Sequence, residues 1–325
     1  CIEQITSGAF PQLYLPSVVE CDANMLQDID RNVKSVLSRL GSYQLSDGAF
    51  AYWSGNTSGS EWGTVYATHY LIEAAKHGYG VDRAMLDRAL KYLRGNPSDY
   101  YLTQAYTQYV LALNGTPTRG AMNQLREKAA SLRSDVKWLL AAAYALDGNR
   151  KVAEELISLC GDNAGKANPY DGTYNSDERR MSISLMTLTI LGRREEAFRT
   201  ALKMSDILKK DRWLSTQSTA WMLSTLSNFA VAGQNGIDAT AGRELVKTDK
   251  SIASMPLAAP TEVRNNGSGS LYAVVSQSYT PGKGEETEAA NGIRIDVRYT
   301  NMDGEAIDPA SIRVSTDFYA IVTVS

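Results

Sequence analysis

The hydrophobic period of the chain changes once, near residue 230, and that change limits what it can fold into. Before it, apolar residues return every three or four positions. The segment "NMLQDIDRNVKSVLSRLGSY" sets Met25, Ile29, Val33, Val36, Leu37 and Leu40 on one helical face, and Gly41 stops it. "EWGTVYATHYLIEAAKHGYG" and "DRAMLDRALKYLRGNP" continue the pattern. So do "YLTQAYTQYVLALNG", "AMNQLREKAASL", "SDVKWLLAAAYALDGN", "RKVAEELISLC", "RRMSISLMTLTILGR", "REEAFRTALKMSDILKK" and "LSTQSTAWMLSTLSNFA". The spacing predicts roughly ten or eleven helices joined by short Gly, Asn and Asp turns. After the change, "IRIDVRY" alternates strictly, Ile293, Ile295 and Val297 against Arg294, Asp296 and Arg298. "GRELVKTDKSIASMPL", "GSLYAVVSQSYT" and "ASIRVSTDFYAIVTVS" also read as strands. "TNMDGEAID" supplies a hairpin turn through Asp303 and Gly304, and "NNGSGS" and "TPGKGEETEAANG" read as loops. Residues 231–325 are therefore expected to hold about six to eight strands as a β-sandwich, one module or parts of two.

The helices come in two kinds. "VYATHYLIEAA", "VKWLLAAAYAL", "ISLMTLTIL" and "TAWMLSTL" are apolar nearly all round. "REKAASL", "RKVAEELI" and "REEAFRTAL" carry a charged face. Alternation of the two predicts an inner and an outer layer, or a stacked solenoid. Gly115, Gly148 and Gly192 close three of the inner helices at spacings of 33 and 44 residues. A regular repeat array holds its period, so a closed ring of helix hairpins over residues 1–230 fits better. "SDGAFAYWSG", "YDGTYNSDERR" and "KDRWLSTQS" each put aromatic residues in a turn before an inner helix. Turn chemistry and aromatic packing explain them. They would also line one mouth of a ring.

Composition narrows the function. A net charge of -3 over 325 residues leaves no electrostatic footprint for nucleic acid. No run of about 18 apolar residues is available to span a bilayer, and no basic run is aimed at an anionic membrane. Cys1, Cys21 and Cys160 have no metal-like spacing, and with only His69 and His77 a zinc site is not expected. No cofactor is implied. Cys21 and Cys160 read as small buried residues, with a disulfide between them as the alternative.

The chain opens "CIEQITSGAFPQLYLP". Three chemistries compete for Cys1. It is an N-terminal nucleophile, a lipidated cysteine, or half of a cross-link with Gln4. The first needs a sheet around the nucleophile. The second precedes a flexible polar linker, which "IEQITSGAFPQLYLP" is not. In the third, thiol and carboxamide condense to a thioester and expel ammonia, and a spacing of i to i+3 in a helical turn brings the two side chains together. An acyl thioester must be kept from water, and Ile2, Ile5, Phe10, Leu13 and Tyr14 are candidates for that shield.

"CIEQITS" resembles the CxEQ thioester motif of the α2-macroglobulin and complement family, especially its bacterial branch, and so does the following "AFPQLYL". "DGAFAYWSG", "SEWGTVYATHYL" and "WLSTQSTAWMLSTL" resemble the thioester domain of that family, an α/α toroid. "NGIRIDVRYTNMDGEAID" is similar to its macroglobulin-type β domains. The resemblance implies a mainly α chain with a toroid over residues 1–230 and a smaller β-sandwich region over 231–325. It implies a fragment of a broad-spectrum protease inhibitor, a single-turnover covalent trap rather than an enzyme. Cys1 is then the thioester sulfur and Gln4 the acyl donor. Glu3 matches the acid of the motif, with no chemical role to assign. The partners implied are attacking endopeptidases, acylated on lysine, and other domains of the same full-length chain. The location implied is the periplasm or cell envelope, with anchoring through upstream sequence. Complement members carry a histidine in a toroid loop that takes up the acyl group first. The matching loop here, "RGNPSDYYLTQ", holds none, and His69 and His77 read as structural. Lysine conjugation is therefore expected over ester formation. Two other readings stand beside this one. The chain is a helical-repeat binding module without thioester chemistry, or an α/α-toroid carbohydrate-active enzyme using Asp47, Glu61, Asp171, Asp177 or Glu178 as paired carboxylates.

Overall fold

The computed structural model describes residues 1–161, 172–210, 212–232, 236–248, 252–257, 260–267, 271, 273–277, 280, 282 and 292–325. Its contacts divide it into two units, Cys1–Leu271 and Tyr272–Ser325.

Polar side chains start most of the long helices of the first unit. Asp22 caps α3 (Ala23–Leu40) and accepts from the Met25 amide at 2.8 Å. Ser60, Ser176 and Ser215 do the same for α4 (Glu61–Lys76), α10 (Asp177–Ile190) and α12 (Thr216–Val231). Twelve α-helices are present among the described residues. The others are α1 (Ile2–Ala9), α2 (Leu15–Val18), α5 (Arg83–Gly95), α6 (Tyr101–Leu113), α7 (Arg119–Glu127), α8 (Ser134–Leu146), α9 (Arg150–Ser158) and α11 (Arg194–Leu208). The inner helices end alike. In α6 the Gly115 amide bonds Ala112 and the Thr116 amide bonds Leu111, with Gly115 at φ +74°. This is the paired C-terminal bond that needs a left-handed residue, for which glycine carries no Cβ penalty. Gly78, Gly148 and Gly192 repeat it after α4, α8 and α10.

The two kinds of helix take two positions. α4, α6, α8, α10 and α12 are buried on most sides, whereas α3, α5, α7 and α9 bury one stripe. The inner helices touch in chain order, α4 to α6 to α8 to α10 to α12. α1 contacts both α12 and α4, so the succession returns to its start. Gly63 permits that return. A Cβ there would lie 2.9 Å from Ile2 Cγ2 and 3.0 Å from Ser60 Oγ.

At the far end of α1, aromatic rings fill the interior. Phe10 meets His69 edge-on at 4.8 Å and packs on Tyr66 and Tyr70. His69 Nδ1 lies 2.8 Å from the Tyr106 hydroxyl, and burial holds its imidazole down at about 4. Tyr14 donates to Glu73 at 2.6 Å.

The β strands lie after residue 236. The first unit carries β1 (Ile237–Ala241) between β2 (Glu244–Thr248) and β3 (Val263–Asn265), all antiparallel. The second carries one antiparallel pair, β4 (Ile295–Thr300) and β5 (Tyr319–Val324). Ile295 faces Val324 and Val297 faces Val322. These are five strands among the described residues. Part of "GSLYAVVSQSYT" lies outside them, and residues 273–277 form no strand. Val274 and Val275 are exposed there, with no neighbouring ladder to satisfy a strand backbone. "ASIRVSTDFYAIVTVS" begins inside a short 3₁₀ turn that Pro309 starts and Asp308 caps, and only its Tyr319–Val324 pairs. The turn through Asp303 and Gly304 does form, but β4 then pairs with the distant β5 and makes only a single bridge, Thr300 to Ala306.

Two outcomes follow from this packing. Folded His69 is held neutral, while an unfolded histidine takes a proton near pH 6.5. Stability is therefore full above pH 6.5 and falls as pH drops toward 4, by about 3 kcal/mol in total. Urea unfolding across that window measures the slope, and His69→Gln is expected to remove most of it. Gly63→Ala is expected to lower stability by about 1–3 kcal/mol through overpacking against Ile2. Gly95→Ala, whose Cβ meets nothing within 4 Å, is the control in the same assay.

Candidate functional site

Cys1 is the N-cap of α1 and Gln4 its third residue. These are the two positions that a capping box links, each side chain reaching the backbone amide of the other. Cys1 makes no capping hydrogen bond, so its thiol is not committed to the helix. It is partly buried, and Gln4 is exposed. Gln4 lines a groove with Ile5, Gly8, Gln12, Asn32 and Arg39, between α1 and α3. Of the five apolar residues named as a shield, Ile5 shares this groove. Ile2, Phe10, Leu13 and Tyr14 are drawn into the core instead.

The first turn of α1 is held from several sides. The Ile2 amide donates to the Tyr52 carbonyl at 3.0 Å, which seats the "DGAFAYWSG" turn beside Cys1. The Tyr52 hydroxyl pairs with that of Tyr174, in the turn before α10. Tyr174 has φ +54°, a left-handed conformation that is unusual for a bulky residue. Glu3 is buried and accepts from Ser7 on α1 and Thr216 on α12. Burial, with the Glu3 charge adding to it, pushes the Tyr66 phenol up. The Ser7 hydrogen bond and Arg179 pull it back. Arg179 is fully buried. It donates to the Thr173 carbonyl and hydroxyl and to Gln217 Oε1 at 2.7 Å, and stacks over the Trp62 ring at 4.5 Å. The starts of α1, α4, α10 and α12 therefore meet at one end. Ser98, before α6, joins them through Glu61 at 2.5 Å.

The alternative acids are occupied locally. Asp47 accepts from the Ala49 amide in its own turn, and Glu61 accepts from Ser98. Asp177 pairs with Arg180, and Glu178 with Arg212. Asp171 lies outside the described residues. Four different partners engage the four described acids, as turn, cap and ion-pair residues do. His69 sits in the aromatic interior beside Phe10, about 12 Å along α1 from Cys1 at the helical rise. His77 packs edge-on against Tyr14. Cys21 and Cys160 are unpaired and partly buried, and burial pushes the Cys160 thiol up to about 12. Among the described residues no three His, Cys, Asp or Glu side chains gather as metal ligands, and no helix is long and apolar enough to cross a membrane.

Sequence reasoning left Glu3 without a role and missed Arg179. Both stand on buried faces. Glu3 falls one turn from Thr6 and Ser7, and Arg179 one turn from Ile183 and two from Met186. A charged residue at a core-facing position is the signal that marks them.

No family model matches the chain. Curated relatives do. It is 25% identical to "Alpha-2-macroglobulin" of Escherichia coli over 96% of its own length and 20% of that protein. It is 25% identical to the "Alpha-2-macroglobulin homolog" of Yersinia pestis over 95% of itself and 17% of the relative. The chain thus spans about a fifth of the length of the curated relatives it matches. Among solved structures, native E. coli alpha-2-macroglobulin aligns with a TM-score of 0.62 at 21% identity, over 95% of this chain and 21% of that one. Salmonella alpha-2-macroglobulin reacted with methylamine aligns at 0.59 and 24%, over 100% and 23%. Likeness in sequence along nearly the whole chain, and in fold to the matching segment of solved members, supports the bacterial alpha-2-macroglobulin family as the one to which this chain is related.

Proposed function

We propose that the chain is the thioester-bearing segment of a bacterial alpha-2-macroglobulin-like protease inhibitor, with residues 1–230 as an α/α toroid and 231–325 as macroglobulin-type β material. The observation that carries this reading is the placement of Cys1 and Gln4 at the N-cap and third position of one buried helix, with the Cys1 thiol uncommitted to capping. The closing contact of α1 with α4 and α12 supports the toroid. Solved relatives from Escherichia coli, activated by porcine elastase, and from Salmonella, reacted with methylamine, support a trap that meets proteases and amines.

The chemistry balances simply. The Cys1 thiol adds to the Gln4 carboxamide carbon, and ammonia leaves with the thiol proton. Later a lysine Nζ attacks the same carbon. The carbon–sulfur bond breaks, an amide forms, and the sulfur regains the proton that the amine gives up. The protein is consumed once, so the reaction is a capture and not a turnover. This reading assigns the cleavage signal for that capture, a bait segment, to other parts of the full-length protein, together with its partners and a place in the periplasm or cell envelope.

Intact mass with thiol labelling of the full-length protein tests the bond. The mass is expected to be lower by one ammonia, and Cys1 to resist alkylation until methylamine is added. Cys1→Ala abolishes both signals. A Cys1 that alkylates freely in the untreated native protein would sink the reading. The absence of an imidazole beside the first turn of α1 sets the nucleophile. Amines are expected to be incorporated at least about tenfold better than glycerol at equal concentration, since a positioned general base contributes on the order of 10²-fold or more. Radiolabelled glycerol bound as well as methylamine would reverse that expectation.

A further inference from the structure

Glu3 sits between the two residues of the proposed thioester, and that reading gives it no task. It is a carboxylate only 5% exposed, and among the described residues no ion pair reaches it. Such burial is costly unless hydrogen bonds compensate it. Both hydroxyls that do so address the same oxygen. Ser7 Oγ lies 2.8 Å and Thr216 Oγ1 3.1 Å from Oε1, with Oε2 at 3.4 Å from Thr216. Ser7 Oγ is in turn 3.0 Å from the Tyr66 hydroxyl on α4. One acceptor atom thus links α1 to α12 directly and to α4 through Ser7. Thr216 is itself exposed, so its bond is not needed to satisfy a buried hydroxyl.

The direction of Glu3 sets the direction of Gln4. Successive helical residues turn by about 100° at 3.6 residues per turn. With Glu3 fixed inward, Gln4 faces outward on the same side of the turn as the Cys1 cap position. A roll of α1 would turn Cys1 and Gln4 together against their surroundings, and both the lifetime of the acyl group against water and its attack by an amine depend on how that turn is set. We infer that Glu3 is the positioning residue of the thioester turn, acting as a hydrogen-bond acceptor that locks the roll of α1 against α12 and α4. This assignment rests on the thioester reading above.

Three variants of the full-length protein separate the roles. Glu3→Gln keeps an acceptor for both hydroxyls, Glu3→Leu removes it, and Thr216→Val removes one donor at an exposed position that folding tolerates. The readouts are the thioester fraction by intact mass, the rate of thiol release by methylamine, and a circular dichroism melt. Glu3→Gln is expected to stay within about twofold of wild type in fraction and rate. Glu3→Leu and Thr216→Val are expected to fold and to lose about tenfold in thioester fraction or to hydrolyse spontaneously about tenfold faster, the scale of a small misalignment. Folded Glu3→Leu and Thr216→Val with wild-type fraction and rate would overturn the assignment while leaving the thioester intact. A Glu3→Gln protein that keeps the bond but reacts tenfold slower would also overturn it, because Glu3 would then be taking the amine proton. A wild-type Cys1 that alkylates freely overturns the thioester reading itself, and this assignment with it.

Discussion

The return of α1 to the far side of the helical body is the contact on which the rest depends. An open succession from α4 to α12 would leave two helix faces, both rich in apolar residues, without a neighbour. α1 covers both. It does so with an eight-residue helix whose inward side is half polar, Glu3, Thr6 and Ser7 beside Ile2, Ala9 and Phe10. Apolar burial and directional hydrogen bonds therefore act on the same short element. The first favours any close packing, and the second selects one orientation within it.

That division of labour runs along the length of α1. At its end, Phe10 enters a cluster of rings in which His69, Tyr70 and Tyr66 are held by shape and by desolvation. At its start, the neighbours are a backbone carbonyl, two hydroxyls and, one layer further in, the buried Arg179. A guanidinium with no water around it fixes the loop it bonds, since each lost hydrogen bond to a charge costs about 1.5–3 kcal/mol. Arg179 thus ties Thr173, Gln217 and Trp62 into one rigid floor beneath the Tyr52 and Tyr174 turns.

Much of this was legible in the residues. The inner helices announced themselves by lacking a polar face, and Gly115, Gly148 and Gly192 marked their ends because only a left-handed residue completes that cap. The spacing of Cys1 and Gln4 suggested a pair, and the resemblance of the residues around them gave that reading its weight. The partners of Glu3 could not, since Thr216 lies 213 residues away and no local period relates the two. The shield assignment failed for Phe10, Leu13 and Tyr14 for a related reason. Being apolar says that a side chain is buried, but not on which side of a helix its cover lies. Alternation describes a face, while a strand also needs a second backbone to bond, and among the described residues Val274 and Val275 stand exposed outside any strand.

The gathering of helix starts at one end has an electrostatic consequence that formal charge does not reveal. Each helix presents about half a positive charge at its N-terminus. α1, α4, α10 and α12 begin together at this end, so their peptide dipoles add a positive contribution there, which the first-turn acids Glu3, Glu61, Asp177 and Glu178 offset. Negative charge developing on the Cys1 sulfur would arise at the N-cap of α1, where the dipole of that helix favours it. The field decays within the first turn of each helix, so it acts on the sulfur and hardly at all on the approach of a distant partner.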